Sequence, residues 1–163
     1  MKKNYRFHYL LGTTTRINVC MVCDDKIGYQ ADSPERLENY WKDIIAEQPD
    51  HEPDKEQVVV VLLNTRLRAY AWNRVSLGTN SESHVHPREV FRPAIVGAAH
   101  AIVLMHNHPS GDPSPSSADE RITRTLVEAG KLLKIRFLDH VIIGSPSPGR
   151  NSYFSFLEIG LVP

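Results

Sequence analysis

The stretch Ala101-Ile102-Val103-Leu104-Met105-His106-Asn107-His108-Pro109 decides how the rest of the chain reads. Its first five residues are apolar and too few for an ordinary helix, so they form a short buried strand. That strand delivers the chain straight into His106-Asn107-His108-Pro109, and both imidazoles therefore sit just past a rigid strand end. Pro109, Gly111, Pro113 and Pro115 then forbid regular structure until Ser116. Beyond it Ile122, Leu126, Ala129, Leu132 and Leu133 mark a long amphipathic helix, and residues 137–143 return as another strand. Gly144-Ser145-Pro146-Ser147-Pro148-Gly149 is a turn-rich loop before a last short element from Tyr153.

Upstream, the continuous apolar run Val58-Val59-Val60-Val61-Leu62-Leu63 suits a strand covered on both faces, the centre of the sheet. Asn64-Thr65-Arg66 turns the chain back into a more amphipathic strand over residues 67–77. Nearer the start, residues 16–23 alternate like a strand, and Ser33-Pro34-Glu35-Arg36 reads as an N-cap, a proline at the first helical position and an acidic first turn. A helix to about Ala46 follows, with Leu37, Tyr40, Trp41, Ile44 and Ile45 on one face. Pro87-Arg88-Glu89-Val90-Phe91 opens a further helix, whose apolar stripe is Val90, Phe91, Ala94, Ile95 and Ala98 and in which Pro93 lies early enough to be tolerated. The order is α/β, of the α+β type, around a central mixed sheet. The 163 residues suit a single compact domain, with residues 1–50 as a strand and helix extension packed on a core of residues 51–163.

Nineteen basic side chains balance nineteen acidic ones, so no strong long-range field draws the molecule to nucleic acid or to an anionic membrane. No apolar stretch reaches membrane-spanning length, and the basic start leads to no cleavage site, so a soluble cytoplasmic protein is expected. Cys20 and Cys23 form a lone Cys-x-x-Cys within strand-like sequence. Three residues apart, they point to opposite faces, which fits small buried residues better than a redox pair or half of a metal site.

Two histidines one residue apart can turn both rings toward one point, and Asp119 returns from the start of the next helix. Zinc accepts this mixture of imidazole and carboxylate, and catalytic sites stop at three protein ligands so that water takes the fourth position. His106, His108 and Asp119 are therefore the expected ligands of one zinc ion. Ser116 and Asp119 also have the spacing of a helix capping box, a structural role that competes with ligation. Ser116 is a candidate oxyanion donor as well as an N-cap. Glu56, immediately before the central strand, is the candidate general base and acid, with Glu89 as the alternative. A second His-x-His, His84-Val85-His86, precedes a helix and lacks a following acid, so a cleft-wall or capping role is expected. His100 has a weak claim to ligation, and His140 reads as a hydrogen-bonded structural histidine within its strand.

The run His106-Asn107-His108-Pro109-Ser110-Gly111-Asp112-Pro113, with Ser116 and Asp119, resembles the JAMM motif of RadC-like proteins. The likeness extends upstream through His86-Pro87-Arg88-Glu89-Val90-Phe91. Downstream it continues through Arg121-Ile122-Thr123, residues 126–133 and Leu138-Asp139-His140-Val141-Ile142-Ile143-Gly144, so it covers most of the chain after Glu56. It implies the JAB/MPN fold, a curved mixed sheet flanked by helices with a zinc site at one end, and it places Glu56 where the family's catalytic glutamate precedes a core strand. It also implies metal-dependent hydrolysis of peptide or isopeptide bonds, with a protein or peptide substrate. An association with DNA repair follows from the same resemblance. Longer members look as if they carry an N-terminal helix-hairpin-helix region, whereas residues before about Asp50 here read as strands and one helix, a short form.

Three functions follow as expectations: a zinc-dependent amide hydrolase, a DNA-associated accessory protein with a non-catalytic scaffold, and a metal-binding interaction module without turnover. The second draws on Arg121, Arg124, Lys131, Lys134 and Arg136, on or after one helix. No membrane partner is expected.

Overall fold

The computed structural model describes the backbone of residues 4–11, 15–23, 29–78 and 85–163, and side chains within the last two of these segments. Two strands lead, β1 (Asn4–Leu11) and β2 (Thr15–Cys23), followed by the short β3 (Tyr29–Gln30). Helix α1 (Pro34–Tyr40) starts as expected, with the Ser33 hydroxyl accepting from the Arg36 backbone N–H. The expected helix to Ala46 is not α-helical throughout. Residues Trp41–Ile45 widen into a π turn, in which the Ala46 N–H reaches back to the Trp41 carbonyl at 2.8 Å, while Trp41, Ile44 and Ile45 stay buried.

Then come β4 (Gln57–Leu63), β5 (Arg68–Leu77), α2 (Pro87–Val96), β6 (Ala101–Asn107), α3 (Ser117–Leu133), β7 (Arg136–Ile143) and β8 (Tyr153–Ser155). One mixed sheet runs β1-β2-β5-β4-β6-β7-β8, with β3 alongside β5. All its pairs are antiparallel except β6 with β7, which α3 connects. The run read as the centre of the sheet, β4, lies between β5 and β6 and is buried along its whole length.

Strand alternation divides the core in two. Val58, Val60, Leu62, Ile102 and Leu104 face α2 and α3. Val59, Val61, Leu63, Val103 and Met105 face α1 and the π turn. Burying a side chain such as Leu62 on one side or Leu63 on the other contributes about 1.5–3 kcal/mol, so both layers hold the sheet strongly. The same parity puts Glu56, His106 and His108 on the α3 side and Asn107 on the other.

Three local expectations need correction. Pro93 is tolerated within α2 as expected, but it lies past the first turn rather than early, where its ring removes the N–H that would bond to the Glu89 carbonyl. Ile95, expected in the stripe, is 58% exposed, and Ala98 lies beyond the helix with a left-handed φ of 52°. On α3 Leu126 is buried as expected, but Leu132 and Leu133 are exposed, and Thr123, Val127 and Gly130 are buried in their place. The helix ends at a left-handed Lys134, and the chain turns so sharply into β7 that a Cβ on Gly130 would lie 2.7 Å from the Ile135 carbonyl.

Asp139 ties the C-terminal segment to β7. Its Oδ1 accepts from the N–H groups of His140 and Leu157, and its Oδ2 accepts from the Ser155 hydroxyl. Burial pushes this carboxyl up to about 6 despite those donors. The folded state therefore keeps a proton that the unfolded state, with an ordinary value of 3.8, has already released. Stability from this group is expected to fall as pH rises from 3.8 to about 6 and to level off above. Urea midpoints measured across that window should show the slope, and Asp139→Asn should flatten it.

Candidate metal centre

The site forms where β6 ends. The strand runs further than expected: His106 and Asn107 belong to it, with His106 opposite Val58 of β4 and Ile142 of β7. His108 follows, and its backbone N–H donates to the Ile143 carbonyl at 2.9 Å, which prolongs the pairing with β7. Because the chain remains extended, residues 106 and 108 share a face, and this is why a His-x-His spacing brings two rings together here.

The loop after His108 is tightly braced. Gly111 adopts φ +77°, a conformation that favours glycine, and its carbonyl accepts from the Ser145 N–H and from Arg150 Nη2. Arg150 Nη1 also pairs with Asp112 at 3.1 Å. Gly144 lets this loop lie directly against the end of β7, since a Cβ there would stand 2.6 Å from the Gly111 carbonyl oxygen. The loop then hands the chain to α3, where Ser116 and Asp119 form a complete capping box. Asp119 Oδ2 accepts from the Ser116 N–H at 2.8 Å and from its hydroxyl at 2.6 Å, and Ser116 Oγ accepts from the Asp119 N–H at 3.2 Å.

The capping role and the inward-facing role of Asp119 turn out to be compatible. Its Oδ1 stands 3.4 Å from His106 Nε2, and its Oδ2 stands 3.7 Å from His108 Nε2. The two Nε2 atoms are 3.0 Å apart. Two ligands 2.0–2.1 Å from a tetrahedral ion are separated by about 3.4 Å, so the three gaps fit one shared cation. Among the described residues these three side chains form a group able to hold a metal ion. The second ring nitrogens support that orientation. His108 Nδ1 lies 2.7 Å from the Asp112 carbonyl oxygen, which can only accept, so Nδ1 carries the proton and Nε2 offers its lone pair.

Burial and the neighbouring carboxylates set the charge of each member of the cluster. Burial pushes the His106 imidazole down to about 4, keeping it neutral at physiological pH. His108, beside Asp119 and within the field of Glu56, is raised. Burial alone would raise Asp119, but His108, His106 and Ser116 together hold it well below the usual carboxylate range.

A cavity of about 1100 Å3 opens over the cluster, and Glu56, Ser116, Arg121 and His140 all line it. Glu56 is thus brought to the same site as the histidines. Asn107 fixes its position. Pointing away from the rings, Asn107 accepts from the Gln57 N–H at 2.9 Å and donates to the Lys55 carbonyl at 3.1 Å, gripping the backbone on both sides of Glu56. Sequence reasoning missed this role, because nothing in the local pattern shows that residues 53–57 cross the end of β6.

Glu89 does not line the cavity and pairs with Arg92 and Arg88 on α2. His86 takes the N-cap position of α2 without a side-chain capping bond. His84 lies outside the described residues, as do the side chains of Cys20 and Cys23. His100 is exposed. His140 is buried and hydrogen-bonded as expected, but its partner is His106 itself. Arg121, Arg124, Lys131, Lys134 and Arg136 are exposed, with Glu120 and Glu128 among them and Lys131 paired to Glu128.

A curled mixed sheet with helices on both faces and a candidate metal cluster at the end of the parallel pair β6/β7 defines the chain as a JAB-type domain. The chain belongs to the RadC-like JAB domain family, whose model matches residues 31–161. It is 54% identical over 104 residues to a UPF0758 protein of Alkaliphilus metalliredigens, covering 64% of this chain and 43% of that one. A UPF0758 protein of Trichlorobacter lovleyi is 49% identical over 108 residues, covering 66% of this chain and 45% of that one. One from Chlorobium luteolum is 45% identical over 123 residues, covering 74% and 53%. The chain thus spans about half the length of the curated relatives it matches. Among the described residues no helix is long and apolar enough to cross a membrane.

Proposed function

We propose that the chain is a zinc-dependent hydrolase of peptide or isopeptide bonds, with the ion held by His106, His108 and Asp119. The observation that carries this reading is the convergence of His106 Nε2, His108 Nε2 and the two Asp119 carboxylate oxygens, with gaps of 3.0, 3.4 and 3.7 Å, in a cavity that Glu56 also lines. When bound, zinc supplies Lewis-acid activation of a water and of a carbonyl oxygen. Glu56 takes one proton from the attacking water as the new C–O bond forms. It returns that proton to the amide nitrogen as the C–N bond breaks. Ser116 directs its hydroxyl at Asp119 Oδ2, and it would turn that hydrogen toward the oxyanion once a cation draws charge from the carboxylate. An extended protein or peptide segment suits the open cavity better than a small metabolite does.

The test is metal analysis of the purified chain, followed by incubation of the zinc-loaded protein with a library of peptides and isopeptide-linked conjugates. Cleavage should be abolished by a chelator, restored by zinc, and abolished again in Glu56→Gln with metal content unchanged. Cleavage that persists in Glu56→Gln, or a zinc-loaded chain that opens no amide, would defeat the proposal.

A further inference from the structure

His140 and Thr123 have no part in the chemistry above, yet both are fully enclosed behind the cluster. His106 Nδ1 lies 2.9 Å from His140 Nε2, and His140 Nδ1 lies 2.6 Å from Thr123 Oγ1. Thr123 Oγ1 in turn lies 2.6 Å from the backbone carbonyl oxygen of Asp119. The chain of contacts therefore starts at one member of the cluster and ends at another.

Its direction follows from what each atom can do. A carbonyl oxygen only accepts, so the Thr123 hydroxyl hydrogen goes to Asp119. With its one hydrogen used, Thr123 Oγ1 accepts from His140, which places the His140 proton on Nδ1. A neutral imidazole has one donor and one acceptor, so His140 Nε2 accepts, and His106 must carry its proton on Nδ1. His106 Nε2 is then left as a bare lone pair facing His108 and Asp119. Burial keeps both rings neutral, lowering His106 to about 4 and His140 well below its ordinary value.

We infer that Thr123 and His140 are positioning residues that lock His106 into the tautomer whose bare Nε2 faces the cluster and can bind a metal ion, and that they tie this choice to the backbone of Asp119. The inference rests on the metal-site reading, but the tautomer itself can be observed without metal. Strand parity explains how the parts meet. His140 lies opposite Leu104 on β7 and shares a face with Ile142, so it falls in line behind His106, and Phe156 stacks on it at 4.9 Å to hold the ring plane. Thr123 stands one turn after Asp119 on α3, and its hydroxyl reaches both the Asp119 carbonyl and His140 of β7.

Two measurements on the full chain test this. Long-range 1H–15N spectra of the metal-free protein should show His106 protonated on Nδ1 and His140 likewise. A proton on His106 Nε2 would overturn the inference whatever any variant does. Zinc affinity, measured by competition with a chromophoric chelator, should fall about 10–100-fold in Thr123→Val and in His140→Leu, the range typical for partners that orient a ligand. Thr123→Ser and His140→Gln, which retain a donor and an acceptor, should restore most of it. Wild-type affinity in folded Thr123→Val, with the His106 tautomer unchanged, would also overturn the inference. If the wild-type chain shows the Nδ1 tautomer but binds no zinc, the metal reading fails while the proton order stands.

Discussion

Asp119→Asn is expected to lower metal affinity by at least about 100-fold while leaving the fold intact, since even partners behind a ligand are worth about 10–100-fold. Asparagine is chosen because Asp119 does two things at once. Its carboxylate closes the cluster with His106 and His108, and it accepts two hydrogens from Ser116 at the start of α3. The amide oxygen can still cap the helix, so the unfolding free energy should stay within about 1 kcal/mol of the parent. Asp119→Ala should lose the metal equally and cost about 0.5–2 kcal/mol more through the missing cap. Chelator competition and urea unfolding on the same preparations separate the two effects. Tight zinc binding by a folded Asp119→Asn would remove the carboxylate from the ligand set and leave it a helix cap.

Asn107→Ala should produce the opposite pattern, in which zinc is retained and turnover is lost. Asn107 holds the Gln57 N–H and the Lys55 carbonyl, on either side of the residue proposed to move the proton. Without that clamp the segment can drift, and general acid–base catalysis worth about 10²–10⁴-fold goes with it. The fold should also lose about 1–3 kcal/mol, because two backbone groups at a nearly closed site lose their partner. Rates on whichever amide the library identifies, compared with zinc affinity on the same sample, check this. Equal losses of metal and rate would mean that Asn107 supports the strand end as a whole rather than Glu56 in particular.

Much of this arrangement was legible in the residues alone. The apolar run before His106, the prolines after it and the Ser116/Asp119 spacing located a cluster whose three members do converge. Local pattern was sufficient because each member of the cluster is set by its own element: a strand of period two for the histidines, a first helical turn for the acid. The expected fold class also matches, since β4 and β6 carry their burial in their composition.

What the residues did not disclose depends on partners far along the chain. His140 reads locally as a core histidine, and only the parallel pairing of β7 with β6 reveals that its neighbour is His106. Thr123 looked like an ordinary helical residue, although Asp119 lies four positions before it. Asn107 reads as a spacer until the crossing of residues 53–57 is known. The end of α3 was overestimated because Leu132 and Leu133 continue the apolar period past the point where the helix leaves the sheet. Periodicity cannot register where a neighbouring layer stops.

Strand β6 places Ile102, Leu104 and His106 on a single side of the sheet. A slip of one position against β4 or β7 would turn all three at once, driving the apolar pair outward and swinging the ring away from its companions. Misaligned chains would therefore be blind to the ion. On the proposed metal reading, the zinc-bound fraction of a refolded sample is expected to count the molecules whose central ladder formed in register.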